Sequence, residues 1–221
     1  MLRDRLDERI QSFSHRDATV NILHIDCSPR ATSYSRQLSG AVVDRLLSTH
    51  PGACVKRRDL GRDPIPHTEP AYAHALSSRN ALVEGQKDSA TQLSECLILE
   101  IEDADTLVIG TPMNNFTVPS VLKAWIDQIV RIGRSFAPTE SGEKIGLLKD
   151  RPVYIAVASG GIYTGNRAKQ PDFLTPYLSA ALGCIGLTTL QFLSLQGTSF
   201  FTAEQLAIEQ ETLLSSLRTA N

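Results

Sequence analysis

Three short stretches hold the residue types that could do chemistry. In the first, Ser28 is followed by Ser33, Tyr34 and Ser35 in the run SPRATSYS. A hydroxyl-rich loop entering a helix offers free backbone N–H groups, O–H donors and the positive end of the helix dipole, a combination that suits a phosphate. The second stretch, Met113-Asn114-Asn115-Phe116, supplies an amide-rich wall with two apolar side chains. The third, Ser159-Gly160-Gly161, presents bare backbone that a ligand can approach closely. Each also has a plain reading: helix-capping serines, a strand-to-helix connection and a simple turn. The serine loop is neither a G-x-x-x-x-G-K-[ST] loop nor a glycine-rich dinucleotide fingerprint, so nucleotide hydrolysis is not its chemistry.

Each stretch follows an apolar run that reads as a strand. These are Val20–Cys27, Leu107–Ile109 within DTLVIG, and Pro152–Ala158. Short apolar runs ending at turn residues suit strands buried on both faces of a parallel sheet. Between them come helical patterns. The first places Leu38, Ala41, Val42, Arg45 and Leu46 on one face, with Ser33 or Ser35 as N-cap. Ala53–Arg58 reads as a poorly apolar edge strand whose Lys56, Arg57 and Arg58 form a solvated, aggregation-resisting edge. An irregular excursion containing Pro64 and Pro66 runs to about Ser77.

Ser78 to about Asp103 reads as mostly helical, with Leu82, Leu93, Leu97, Ile98 and Ile101 inward, Asp88, Glu95 and Glu100 facing water, and Gly85 as an interruption. Pro119–Ile132 is a helix with Pro119 near its first position. Its Val121/Leu122, Trp125/Ile126 and Ile129/Val130 stripe suits core and subunit interface alike. Gly133–Lys149 reads as an excursion or hairpin, and Phe173–Ile185 as a helix closed by Gly186. Thr188–Leu195 is the last strand, and a Thr202–Gln205 capping box opens a final helix. The alternating order implies an α/β fold: a doubly wound, five-stranded parallel sheet with helices on both faces.

Composition narrows the function classes. With 221 residues, 42% of them hydrophobic, the chain forms a single domain over 19–221 preceded by an extension at 1–18. A net charge of −2 favours neither nucleic acid nor an acidic membrane surface as a partner. The charged N-terminus lacks an apolar signal core, which points to the cytoplasm. Cys27, Cys54, Cys96 and Cys184 form no C-x-x-C pair and read as small buried hydrophobes, and the five histidines show no metal-ligand spacing, so no metal is expected.

In a doubly wound fold the three loops converge on one crevice at the carboxyl ends of the strands. Together they describe a site for a flat, partly apolar group bearing one phosphate, a description that flavin mononucleotide (FMN) fits. The same stretches, SPR…SYS, TPMNNF with PSVLKAWID, ASGGIY and PDFLTPYLSAALGCIGL, resemble the FMN-dependent NADH-azoreductases of the flavodoxin-like NAD(P)H:quinone reductase superfamily, over about residues 20–217. The resemblance implies that Ser28, Ser33, Tyr34 and Ser35 bind the FMN phosphate and ribityl chain. It implies that Met113, Asn114, Asn115 and Phe116 line the isoalloxazine, and that Ser159, Gly160 and Gly161 hold its pyrimidine end.

It further implies a homodimer with flavin near the interface, and a ping-pong cycle in which NADH or NADPH delivers two electrons that pass to a quinone or azo compound. The chain departs from the family pattern in three places. Asn114 stands where many relatives have Tyr, and Ala158-Ser159 precedes the two glycines where they read Ser-Arg. An aromatic residue replaces Cys184 in the best-known members.

No obligatory acid–base side chain is expected, because the cofactor supplies the chemistry. Trp125, Tyr163 and Phe173 are candidates for an apolar wall above the ring, and Arg134 and His67 for substrate contacts. The competing readings are a flavodoxin-like electron carrier and a binding protein without flavin.

Overall fold

A computed structural model describes residues 19–77 and 89–218. The proposed extension at 1–18, with Leu82, Gly85 and Asp88, lies outside the described residues. The strands are β1 (Asn21–Asp26), β2 (Cys54–Asp59), β3 (Thr106–Pro112), β4 (Phe136–Pro138), β5 (Lys144–Gly146), β6 (Val153–Ala158) and β7 (Leu190–Leu195). The helices are α1 (Tyr34–Thr49), α2 (Pro70–Ser77), α3 (Gln92–Glu102), α4 (Ser120–Ile129), α5 (Thr175–Cys184) and α6 (Ala203–Ser215). Five strands form one parallel sheet in the order β2-β1-β3-β6-β7, and β4 and β5 make a separate antiparallel hairpin. This is the doubly wound α/β sheet expected from the element order.

Strict alternation divides the core. Leu23, Ile25, Leu107, Ile109, Val153, Ile155 and Val157 face α3, α4 and α5, where they meet Leu97, Ile101, Leu122, Trp125, Leu178 and Leu182. Ile22, Val108, Tyr154 and Ala156 face the other way, against Leu38, Val42 and Leu46 of α1 and Leu206 of α6. Two buried faces explain why these strands read as continuous apolar runs.

Several local expectations hold. Gly186 follows the end of α5 with φ +102°, a conformation that only glycine adopts without strain. The Thr202 hydroxyl accepts from the Gln205 N–H while the Gln205 side chain accepts from the Thr202 N–H, completing the capping box.

Others need correction. Pro70–Ser77 is helical, although the prolines at 64 and 66 suggested irregular chain to Ser77; α2 starts at a third proline, tolerated where no N–H is needed. Pro119 caps α4 from outside and α4 ends at Ile129. Arg45 is exposed and leaves the α1 stripe. Glu100 is buried, because Arg58 reaches it across the gap between β2 and α3 with both guanidinium arms. All three basic residues of β2 pair with carboxylates, Arg57 with Asp26 and Lys56 and Arg58 with Glu100, while Lys56 and Arg57 keep more than half of their side chains exposed. Of the cysteines only Cys27 is buried; Cys54 and Cys96 are exposed and Cys184 is half-buried. Cys54 opens an edge strand, and Cys96 lies on the outer side of α3.

Candidate functional site

The order of the sheet reverses between β1 and β3, since β1 is followed in sequence by the strand on its left and β3 by those on its right. Ligands bind at such a switch point, beyond the carboxyl ends of the strands. Register brings the three loops side by side there. Asp26 pairs with Gly110 and Pro112 with Ala158, so the loops after β1, β3 and β6 leave the sheet as neighbours.

The first loop is tightly held. Ser33 occupies the N-cap of α1 but its side chain caps nothing. Its hydroxyl instead lies 3.0 Å from that of Ser35, and both residues are fully buried. Two hydroxyls carry two protons and share one contact, so one buried O–H is left without an acceptor inside the pair. An uncapped first turn with a surplus buried donor is what an anion would complete. Ser28 is also buried, and its hydroxyl accepts from the Arg30 N–H at 3.3 Å. Tyr34 is half-buried and packs against the α1 side of the core.

The second loop is a two-residue turn. The Asn114 and Thr117 backbones exchange hydrogen bonds of 2.9 and 3.0 Å, with Asn115 and Phe116 at φ 48° and 71° between them. Left-handed backbone is tolerated by asparagine but strained in phenylalanine, and such strain gathers at ligand sites. The Phe116 carbonyl accepts from the Phe173 N–H at 3.0 Å, which ties the turn to the lead-in of α5. Phe116 and Phe173 are 45% and 58% exposed, an aromatic pair at the rim.

The third loop is backed by the chain after β7. The Thr198 N–H donates to the Ser159 carbonyl at 3.0 Å, and the Gly197 N–H to the Gly161 carbonyl at 3.1 Å. A Cβ on Gly160 would fall 2.6 Å from the Ser199 hydroxyl, and one on Gly161 would fall 2.2 Å from the Gln170 amide oxygen. Both contacts are with the ends of side chains, so a Cβ at either position would displace Ser199 or Gln170 and not the backbone. Gln170 went unnoticed in the sequence because it sits in a polar loop without a pattern. Its amide donates to the Met113 sulfur at 3.1 Å and to the Ser159 hydroxyl at 3.3 Å, stitching the second loop to the third. A shallow cavity of about 490 Å³ lies beside this wall, lined by Ile162, Thr164, Arg167, Gln196 and Phe201 among others, and is separate from the crevice.

The remaining candidates separate by burial. Trp125 has no exposed surface and belongs to the α4 core, where its indole N–H finds no partner. Tyr163 is 4% exposed, its hydroxyl donates to Ser194 at 2.7 Å, and burial pushes its pKa up to about 12. Neither is an open wall, because the apolar faces of their segments turn to the sheet; Phe173 alone stands at the crevice. Arg134 is committed to Glu95 and Glu102 on α3, at 2.9 and 2.7 Å, so it is no substrate contact. His67 is exposed, outside the three loops.

The Arg36 hydrogen bond holds the Asp59 carboxyl below its ordinary range, and Arg134 does the same for Glu102. Lowered carboxylates stabilise the fold fully above the ordinary carboxylate pKa of about 4, and that contribution is lost as pH falls towards their folded values. The part of the urea midpoint that these carboxylates supply is accordingly expected to be flat between pH 7 and 5 and to drop below about pH 4. In an Arg134→Met variant the acid drop should be shallower.

Comparison with known proteins gives a consistent set of likenesses. Residues 20–216 match the family model described as flavodoxin-like fold. The chain is 46% identical over 180 residues to FMN-dependent NADH:quinone oxidoreductase 5 of Burkholderia lata, covering 81% of this chain and 86% of that protein. It is 46% identical over 181 residues to FMN-dependent NADH:quinone oxidoreductase 4 of Pseudomonas fluorescens, covering 81% and 85%. Among solved structures, an azoreductase from Bacillus anthracis superposes with a TM-score of 0.77 at 22% identity, over 89% of this chain and 98% of that one. At that identity the likeness concerns the fold.

Proposed function

The chain belongs to the flavodoxin-like fold family and, within it, to the FMN-dependent NADH:quinone oxidoreductases, and from that membership we propose how its crevice works. The observation that carries the reading is the adjacency of β1, β3 and β6, which sets a phosphate-type loop, an amide and aromatic turn, and a glycine loop around one switch point. In the proposed domain, residues 19–221, the cofactor phosphate and ribityl chain lie on Ser28, Ser33, Tyr34 and Ser35. The backbone of Met113, Asn114, Asn115 and Phe116 holds one edge of the isoalloxazine. Ser159, Gly160 and Gly161 hold its pyrimidine end, with Gln170 fastening that wall to Met113.

FMN, when bound, takes two electrons from NADH and passes them to a quinone, so the protein needs no nucleophile or metal of its own. The side chains bind, orient and exclude water. Phe116 and Phe173 cover the rim, and the turn at Asn115–Phe116 presents backbone groups already fixed in place. The same open face is proposed to admit aromatic azo compounds. The exposed rim aromatics support a homodimer with the crevice near its interface. No helix among the described residues is long and apolar enough to cross a membrane. A cytoplasmic site of action is part of the same proposal.

The purified protein is expected to be yellow and to oxidise NADH when a benzoquinone is present, with parallel steady-state lines. A colourless protein that does not take up FMN would overturn the reading, and intersecting lines would overturn the ping-pong order. Replacing Ser33 or Ser35 with alanine should weaken FMN binding by about 1–3 kcal/mol for each hydroxyl that bonds phosphate. An unchanged dissociation constant would remove that serine from the phosphate site.

A further inference from the structure

Behind the first loop lies a charge cluster that the flavin reading leaves unused. Asp26, at the end of β1, is completely buried, and Asp59, at the end of β2, has a side chain only 15% exposed. Both carboxylates stand directly behind a loop meant for a phosphate, and negative charge there opposes an anionic ligand.

Arg36, in the first turn of α1, answers both. Its guanidinium donates to Asp59 at 2.8 and 2.5 Å and lies 3.3 Å from Asp26. The same guanidinium donates twice to the Ser28 carbonyl, from Nε at 2.8 Å and Nη2 at 2.5 Å. Ser39 and His24 complete the inner side. The Ser39 hydroxyl is 3.2 Å from Asp26 and 3.0 Å from the His24 ring, and Arg57 reaches Asp26 from the edge strand at 2.6 Å. A cation in a first helical turn is unfavourable against the dipole. Arg36 is turned away from the ligand side by two carboxylates and one carbonyl.

We infer that Arg36 is a positioning residue that makes the first loop selective for a phosphorylated ligand. It fixes the Ser28 carbonyl away from the ligand and, together with Arg57, neutralises the two aspartates behind the loop. It does so without spending its own side chain on the phosphate. The inference rests on the FMN reading and deepens it: the phosphate is bound by neutral donors, and the cation acts one layer behind them.

The test compares FMN with riboflavin, which has the same ring and side chain but no phosphate. Full-length protein stripped of flavin is titrated with each, following quenching of flavin fluorescence. In Arg36→Gln, Asp59 loses its main counter-charge and Asp26 keeps only Arg57. FMN affinity should then fall roughly 10- to 100-fold, the scale of a charged hydrogen bond, while riboflavin affinity stays within about 3-fold. Arg36→Lys keeps the charge but loses the fork, and its FMN preference should lie between those of Arg36→Gln and the wild type.

Equal losses for both ligands would make Arg36 merely structural and overturn the inference, as would an unchanged preference in Arg36→Gln. Wild-type protein that binds neither flavin would overturn the functional reading itself. That result is distinct from a wild type that prefers FMN alongside a glutamine variant that prefers it equally.

Discussion

A Gly61→Ala variant is expected to lose at least about tenfold in FMN affinity, with a fall in stability of about 1–3 kcal/mol, although position 61 belongs to none of the three crevice loops. Gly61 follows β2 and tucks beneath the serine loop. Its N–H donates to the Asp26 carbonyl at 3.1 Å. An alanine Cβ there would fall 2.1 Å from the Ser28 carbonyl oxygen and 2.4 Å from its carbon. Those atoms are backbone, so no side-chain rotation can relieve the clash. Ser28 must move, and with it the carbonyl that Arg36 grips. Titration with FMN and a urea melt read the two consequences separately. A variant that binds FMN like wild type would show that Ser28 has no part in holding the cofactor.

The largest effect on stability should come from Trp125→Ala, at about 3–5 kcal/mol. Trp125 is the bulkiest fully buried side chain and packs within the α4 face of the core. Its indole N–H is buried without an acceptor, a standing cost of about 1–3 kcal/mol. Trp125→Phe removes that orphan donor while creating a smaller cavity, so the two terms oppose each other. The phenylalanine variant should therefore lie much closer to wild type than the alanine variant in urea unfolding. Equal losses in the two variants would contradict the packing argument.

The parts of this fold that were legible in the sequence are those written in period and punctuation. The apolar runs at 20–27, 107–109 and 152–158 announced buried parallel strands, and Gly186 and Thr202 marked helix ends. The three crevice loops were visible because strand-end residues with hydroxyls, amides and bare backbone stand out against those runs. What stayed hidden depends on partners far apart in sequence. Glu100 looked solvated because nothing local reveals that Arg58, 42 residues earlier, will cover it. Gln170 lies 57 residues from the sulfur it meets. Arg36 did leave a trace, since a basic residue three positions after an N-cap serine goes against the helix dipole. Trp125 misled for the opposite reason: an aromatic suits a flavin wall and a core equally, and only burial separates the two.

The turn at Asn115 and Phe116 has a further consequence for anyone redesigning this protein. An Asn-Gly pair would fit the same backbone with less strain, so consensus-style stabilisation would select glycine at 116. The exchange would yield a tougher molecule and remove one of the two aromatic shutters at the rim. Under the proposed function, thermal robustness and acceptor choice would be set against each other at a single codon, and a library screened only for heat survival would drift away from the substrate preference of the parent.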